Sequence, residues 1–190
     1  MKKMVILRGN SAGAGTYPDE QGEKIAWPIG ALHVEAASEF ARRRRYTPVV
    51  LPVPGQPQNQ GSPQANAAVK LFLEDQDVAA FYGFSGGGYN VKHILDRLAL
   101  QNPDTLSRIE LVVSLGAPRR NPSDFDTNHY NSALKKGIAP ATWEVVYKTN
   151  PPANHPVVPK GLDPHMFGPE WLLLDTPAGR YRDVPLQVED

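Results

Sequence analysis

The sequence has no cysteine. That removes disulfides, a thiolate nucleophile and thiolate-bound zinc from consideration at once. It has no surplus charge of either sign: 20 Lys plus Arg stand against 20 Asp plus Glu, for a formal net charge of zero. Nucleic acid and anionic membrane surfaces call for positive charge, so neither is an expected partner. No apolar run approaches the ~20 residues that a membrane span requires. The start, Met1-Lys2-Lys3-Met4-Val5-Ile6-Leu7, joins basic residues to an apolar run too short for a signal peptide. No internal repeat is present. A single domain over residues 1–190 with a core of its own is expected, with a cytoplasmic location as the default.

What the chain does have is proline and glycine, 19 and 16 residues respectively. The prolines cluster in 48–63 and 151–169, which reads as long loops whose length inside a compact domain points to function. Between the loops, apolar runs alternate with helical patterns. Met4–Leu7, Pro48–Val53, Val78–Tyr82, Ile109–Leu115, Trp143–Tyr147 and a last short run at Trp171–Leu174 read as strands. Leu32–Arg43, Gln64–Glu74 and the stretch after Gly87 read as amphipathic helices, and a short helix is expected around Ser132–Lys136. The basic run Arg42–Arg45 closes the first of these, where cations complement the helix C-terminus. Alternating strands and helices imply right-handed crossovers and an α/β fold of three layers, α/β/α, around a mainly parallel sheet. Ligands bind such sheets beyond the carboxyl ends of the strands. Gly9–Thr16, Ser85, Gly116–Arg119 and 150–168 all fall there.

Residues 78–100 organise the rest. A short apolar strand turns through Gly83-Phe84-Ser85-Gly86-Gly87, a G-x-S-x-G sequence, and enters a helix with Val91, Ile94, Leu95 and Leu98 on one face. Strand, tight turn and helix is the context in which this motif presents a nucleophilic serine. The helix N-terminus beneath it favours negative charge, where an acyl-transfer oxyanion would form. A Gly-rich turn that merely connects strand to helix is the structural alternative.

A serine hydroxyl needs a base within hydrogen-bond reach, and the base is usually oriented by a third group. Of five histidines, His33 and His93 lie on predicted helices and read as packing or surface residues. His129 lies in the loop after the 109–115 strand. His165 best fits a base that follows the nucleophile near the last strand, and His155 is second. The glycine-rich loop after the first strand fails the Walker A pattern for want of a lysine. It fails the dinucleotide pattern because Pro18 stands where the third glycine belongs. It is left as a loop that offers backbone N–H groups to an oxyanion, with Asn10 and Ser11 as candidates beside Gly86, or as a plain loop.

The second half of the chain resembles the class 3 (fungal-type) triacylglycerol lipases among the α/β-hydrolases. Leu115-Gly116-Ala117-Pro118-Arg119 with Phe125 is similar to that family's G-x-P-R-x-G-x-x-x-F segment. Residues 150–159, NPPANHPVVP, are similar to its N-x-x-D-x-V-P-x-L-P segment, and His165-Met166-Phe167-Gly168-Pro169-Glu170-Trp171 to its H-x-G-x-E-x-W ending. The resemblance implies Ser85 as nucleophile and His165 as base. It departs in three respects. Phe84 replaces the histidine of the family's G-H-S-L-G. The family's acid falls on Ala153, or on Asn154 with a one-residue shift, and neither is a carboxylate. The length leaves no room for the family's N-terminal region and lid, so a small lidless hydrolase is expected.

Asp124, Asp126 and Asp163 are the substitute acids, each with a solvated loop carboxylate as its plain alternative. The expected function is therefore a serine esterase acting on a small-molecule ester, with no metal and no cofactor. The alternative is a weakened or non-catalytic binding protein on the same fold without a triad acid. Nothing in the sequence sets the oligomeric state.

Overall fold

The computed structural model describes residues 1–9, 15–18, 24–27, 29–117, 144–148 and 150–175. Strand β1 (Lys3–Leu7) is followed by a hairpin, β2 (Gly15–Pro18) and β3 (Lys24–Trp27), and by helix α1 (Ile29–Arg43). Next come β4 (Thr47–Val50), α2 (Pro63–Glu74), β5 (Val78–Phe84), α3 (Gly86–Gln101) and β6 (Leu111–Leu115). The described chain closes with β7 (Glu144–Lys148) and α4 (Gly168–Asp175). Strands β4, β1, β5, β6 and β7 form one sheet in that order, and every neighbouring pair is parallel. The class is α/β, as the alternation of elements predicts.

The period-two rule of a strand assigns the layers. Met4 and Ile6 face one core with Tyr82, Phe84, Val113 and Leu115, covered by Ala37, Phe40 and Ala41 of α1 and Leu172 of α4. Val5, Leu7, Phe81 and Val112 face the other, covered by Phe72 of α2 and by Val91, Ile94, Leu95 and Leu98 of α3. Both faces of the inner strands β1, β5 and β6 are thus buried, which is why they are apolar without alternation, while edge strand β4 is half-buried. Val78 shares a face with Phe81, three positions on, because the pairing jumps from Lys3↔Val78 to Met4↔Ala80 and leaves Ala79 as an extra residue.

Helix α2 begins where its sequence says it should. The Ser62 side chain accepts from the Ala65 N–H at 2.9 Å, and Pro63 opens the first turn, where its missing N–H is no loss. At the other end of the chain the expectation fails: 171–174 is not a strand but part of α4. Pro169 and Glu170 in the first turn suit a helix start, and four apolar residues alone do not separate helix from strand. The β2–β3 hairpin is not anticipated either, since Pro18 argues against a strand that nonetheless forms. The short helix around Ser132–Lys136 lies outside the described residues.

The strand order places a reversal between β1 and β5: the chain first steps outward from β1 to β4, then back across to β5, β6 and β7. At such a reversal the connecting segments part on opposite faces and leave a crevice at the carboxyl ends. Gly9 follows β1 and Ser85 follows β5 at that point.

Candidate active site

Ser85 sits between β5 and α3 with φ 55° and ψ −121°, a backbone conformation that a residue with a Cβ rarely adopts. Its N–H is held by the Leu115 carbonyl at 2.8 Å, and its own carbonyl accepts the first helical bond, from Tyr89 N–H at 3.1 Å. Strand and helix are pressed together around it. A Cβ at Gly83 would come within 2.3 Å of the Gly87 carbonyl oxygen, and one at Gly87 within 2.3 Å of the Leu7 carbonyl oxygen. The turn is therefore tight enough to strain the serine and lift its half-buried side chain clear of both elements. Gly86 follows as the first residue of α3, so its N–H belongs to the unpaired first turn of that helix.

His165 lies in a one-turn 3-10 helix, Pro164–Phe167, that leads into α4. Its Nε2 is 2.9 Å from Ser85 Oγ, across 80 residues of sequence. Its Nδ1 is 2.8 Å from Asn150 Oδ1. An amide oxygen only accepts, so Nδ1 carries the ring proton and donates it to Asn150. Nε2 is then the unprotonated nitrogen and accepts from the Ser85 hydroxyl. The Phe84 ring stacks on the imidazole, with centroids 5.1 Å apart and planes 25° apart. Gly116, at φ +57°, lets the chain pass under this pair; a Cβ there would lie 3.2 Å from Asn150 Oδ1 and from His165 Nδ1. Burial pushes the His165 imidazole below its ordinary value, against a smaller upward pull from the Asp163 carboxylate. The ring is consequently neutral at pH 7, the form in which it can take a proton.

The substitute acids fare differently. Asp163 does not meet the ring nitrogen. Its Oδ1 accepts from the backbone N–H of His165 at 3.0 Å and so caps the turn that carries the histidine. Asp124 and Asp126 lie outside the described residues, as do Asn10 and Ser11; Gly9, just before them, places its Cα hydrogens against Ser85, since a Cβ there would be 3.2 Å from Ser85 Cβ. Ala153 and Asn154 are exposed in a turn away from the ring contacts described above. His155 is engaged locally: its Nδ1 accepts from Val157 N–H at 3.1 Å and its ring meets Trp171 edge-on.

The residue that sequence reasoning missed is Asn150. A search confined to carboxylates passes over an amide. The signal was nevertheless present, because Asn150 opens the segment after β7 and thus stands at the same sheet edge as Ser85 and Gly116. Among the described residues no group of three or more His, Asp or Glu could hold a metal ion. A hydroxyl, a neutral imidazole oriented by an amide, and free helix N–H groups can together activate an oxygen nucleophile toward an electrophilic carbonyl. Compared with protein-family models, with curated proteins and with solved structures, the chain gives no match in any of the three.

Proposed function

We propose that the protein is a serine hydrolase of the α/β-hydrolase type that cleaves small carboxylic esters. One observation carries the reading: the hydrogen-bonded line Ser85 Oγ–His165 Nε2 at 2.9 Å and His165 Nδ1–Asn150 Oδ1 at 2.8 Å, anchored on a strained turn. A strained serine that also faces an unprotonated imidazole has no structural need to be a serine. In the mechanism, His165 Nε2 takes the Ser85 proton as Oγ bonds to the ester carbonyl carbon. The Gly86 N–H, with an N–H from the loop after β1, faces the oxyanion. The imidazolium then protonates the departing alcohol, leaving an acyl-serine. Water attacks that ester in the same manner, its proton passing to Nε2 and back to Ser85 as the acid leaves. The scheme calls on no metal or organic cofactor.

The described surface supports a choice of substrate class. Among the described residues the large exposed apolar side chains are Met1, Leu100 and Leu174, far apart in the chain, and no helix is long and apolar enough to cross a membrane. Short or soluble acyl groups fit such a surface better than a lipid interface does. The test is turnover of p-nitrophenyl acetate and butyrate by the wild type and by Ser85→Ala. A loss of at least ~10³-fold is expected, the scale of removing a triad member; equal rates would overturn the reading. A second reading, a binding protein on this fold, is favoured by the amide in place of a carboxylate. Covalent labelling of Ser85 by a fluorophosphonate separates the two, since only an activated serine reacts.

A further inference from the structure

A carboxylate in a serine triad does two things at once: it orients the imidazole through Nδ1, and its charge stabilises the imidazolium that forms. Here the residue on Nδ1 is an amide and can do only the first. The charge stands elsewhere. Asp163 is two residues before His165, its carboxylate fixed at 3.0 Å from the His165 backbone N–H, and it faces solvent. We propose that the two tasks of the triad carboxylate are divided in this protein, Asn150 setting the tautomer and direction of His165 and Asp163 supplying the negative charge that the imidazolium needs. The proposal rests on the reading of Ser85 and His165 as a reactive pair, and it makes both Asn150 and Asp163 positioning or electrostatic partners of the ring rather than groups that touch substrate.

Among the described residues, Asn150 and Asp163 are the ones with such a role. Among the described residues, Phe84, Ser85 and Gly116 pack against the ring, and all three are uncharged. The next ionisable group along the chain, Glu170 on α4, faces the Tyr82 phenol. Among the described residues Asp163 is the carboxylate whose charge bears on the imidazole. The two contributions differ in kind, and this makes them separable. A hydrogen bond at 2.8 Å is short-ranged and indifferent to salt. A charge at an exposed position is screened, with a Debye length of about 3 Å at 1 M ionic strength against about 10 Å at 0.1 M.

The experiment is a pH titration of the full chain, labelled with ¹⁵N in its histidines, for wild type, Asn150→Ala, Asn150→Asp and Asp163→Asn at 0.1 M and 1 M salt. Nitrogen chemical shifts report the tautomer, and the titration midpoint reports the charge. The Asp163→Asn side chain would still cap the turn, because an asparagine oxygen accepts the same backbone bond. Asp163→Asn is expected to keep the Nδ1–H tautomer and lower the His165 midpoint at 0.1 M salt, with the difference from wild type vanishing at 1 M. Asn150→Ala is expected to mix the tautomers at both salts and to slow fluorophosphonate labelling of Ser85 by about tenfold or more. Asn150→Asp, an isosteric change, reunites the two tasks and raises the midpoint by about 1–3 units. A wild-type tautomer retained in Asn150→Ala, or a midpoint unmoved by Asp163→Asn at low salt, overturns the division. Tautomer and midpoint shifts as described, in a wild-type protein that the fluorophosphonate does not label, would uphold the division and sink the hydrolase reading instead.

Discussion

At the scale of single residues, the neutral imidazole of His165 is, on the proposed reading, the group that sets the pH range in which Ser85 has a base. Its protonated form is disfavoured by burial, so the folded protein holds that proton less tightly than an exposed histidine would. The acid limb of kcat/KM for a p-nitrophenyl ester is accordingly expected below pH 6.5, the ordinary histidine value; a limb above 6.5 would mean that a charge partner outweighs burial. The same shift acts on stability. The unfolded chain binds this proton first as pH falls below 6.5, so stability from His165 is full above that value and is lost toward the lower folded one. Much of this was legible in the residues themselves. Ser85 announces itself by flanking glycines, and His165 by its place after the last long strand. Asn150 does not, because the family pattern draws attention to the fourth position of NPPA, and only the fold shows that the first position reaches the ring. The Phe84 departure also acquires a physical sense: an aromatic ring at this position stacks on the imidazole and dries it.

At the scale of elements, the junction of β5 with α3 and of β1 with α3 depends on the absence of side chains. Gly87→Ala would force its Cβ to within 2.3 Å of the Leu7 oxygen and 2.6 Å of the Arg8 oxygen, both rigid backbone atoms. It is expected to destabilise the fold by about 3 kcal/mol or more in denaturant unfolding, with loss of serine labelling as the helix is pushed off the sheet. Gly61→Ala is the control: its Cβ would find only the Asn59 side chain, at 3.5 Å, and the cost should stay within about 0.5 kcal/mol. The elements most legible in the sequence are those whose local signals agree, such as α2 with its Ser62 cap, Pro63 start and inward Ala68 and Phe72. The illegible ones carry a contradictory signal. Pro18 lies in a hairpin strand, and Trp171–Leu174 packs as a helix because Leu172 is recruited to the core beneath α1. Tertiary burial decided what a four-residue pattern could not.

At the scale of the molecule, the sheet is covered by helices on both faces, and polar groups are buried within one of those layers. In the layer beneath α1 and α4, the Tyr82 hydroxyl and one Glu170 oxygen are buried with no hydrogen-bond partner among the described residues. Burial raises the Glu170 carboxyl above its ordinary 4.5, and its charge helps to keep the Tyr82 phenol protonated far into alkali. The folded state therefore holds the Glu170 proton more tightly than the unfolded state does. Stability from this group is full below pH 4.5 and falls as pH rises through the higher folded value. Glu170→Gln is expected to raise Tm near neutral pH by about 2–4 °C, the effect of roughly 1 kcal/mol in a domain of this size, and to make no difference below pH 4.5. A Tm lowered at neutral pH would show that the carboxylate is instead paired when ionised. The parallel pairing and the two-sided core were foreseeable from the alternation of elements, whereas the strand order and these buried polar groups were not, since nothing in the spacing of Tyr82 and Glu170 along the chain brings them together.

The 80-residue separation of Ser85 and His165 has a further consequence for how the molecule is made. The pairings of β5 with β6 and of β6 with β7 close much shorter loops, and closing a longer loop costs more entropy before any contact repays it. A ribosome that has released the chain only through β6 has already emitted the serine, its elbow and most of the apolar core, but not the residues that arm it. Ser85 thus emerges ahead of His165, and on the proposed reading any reactivity waits upon the last part of the described chain to dock.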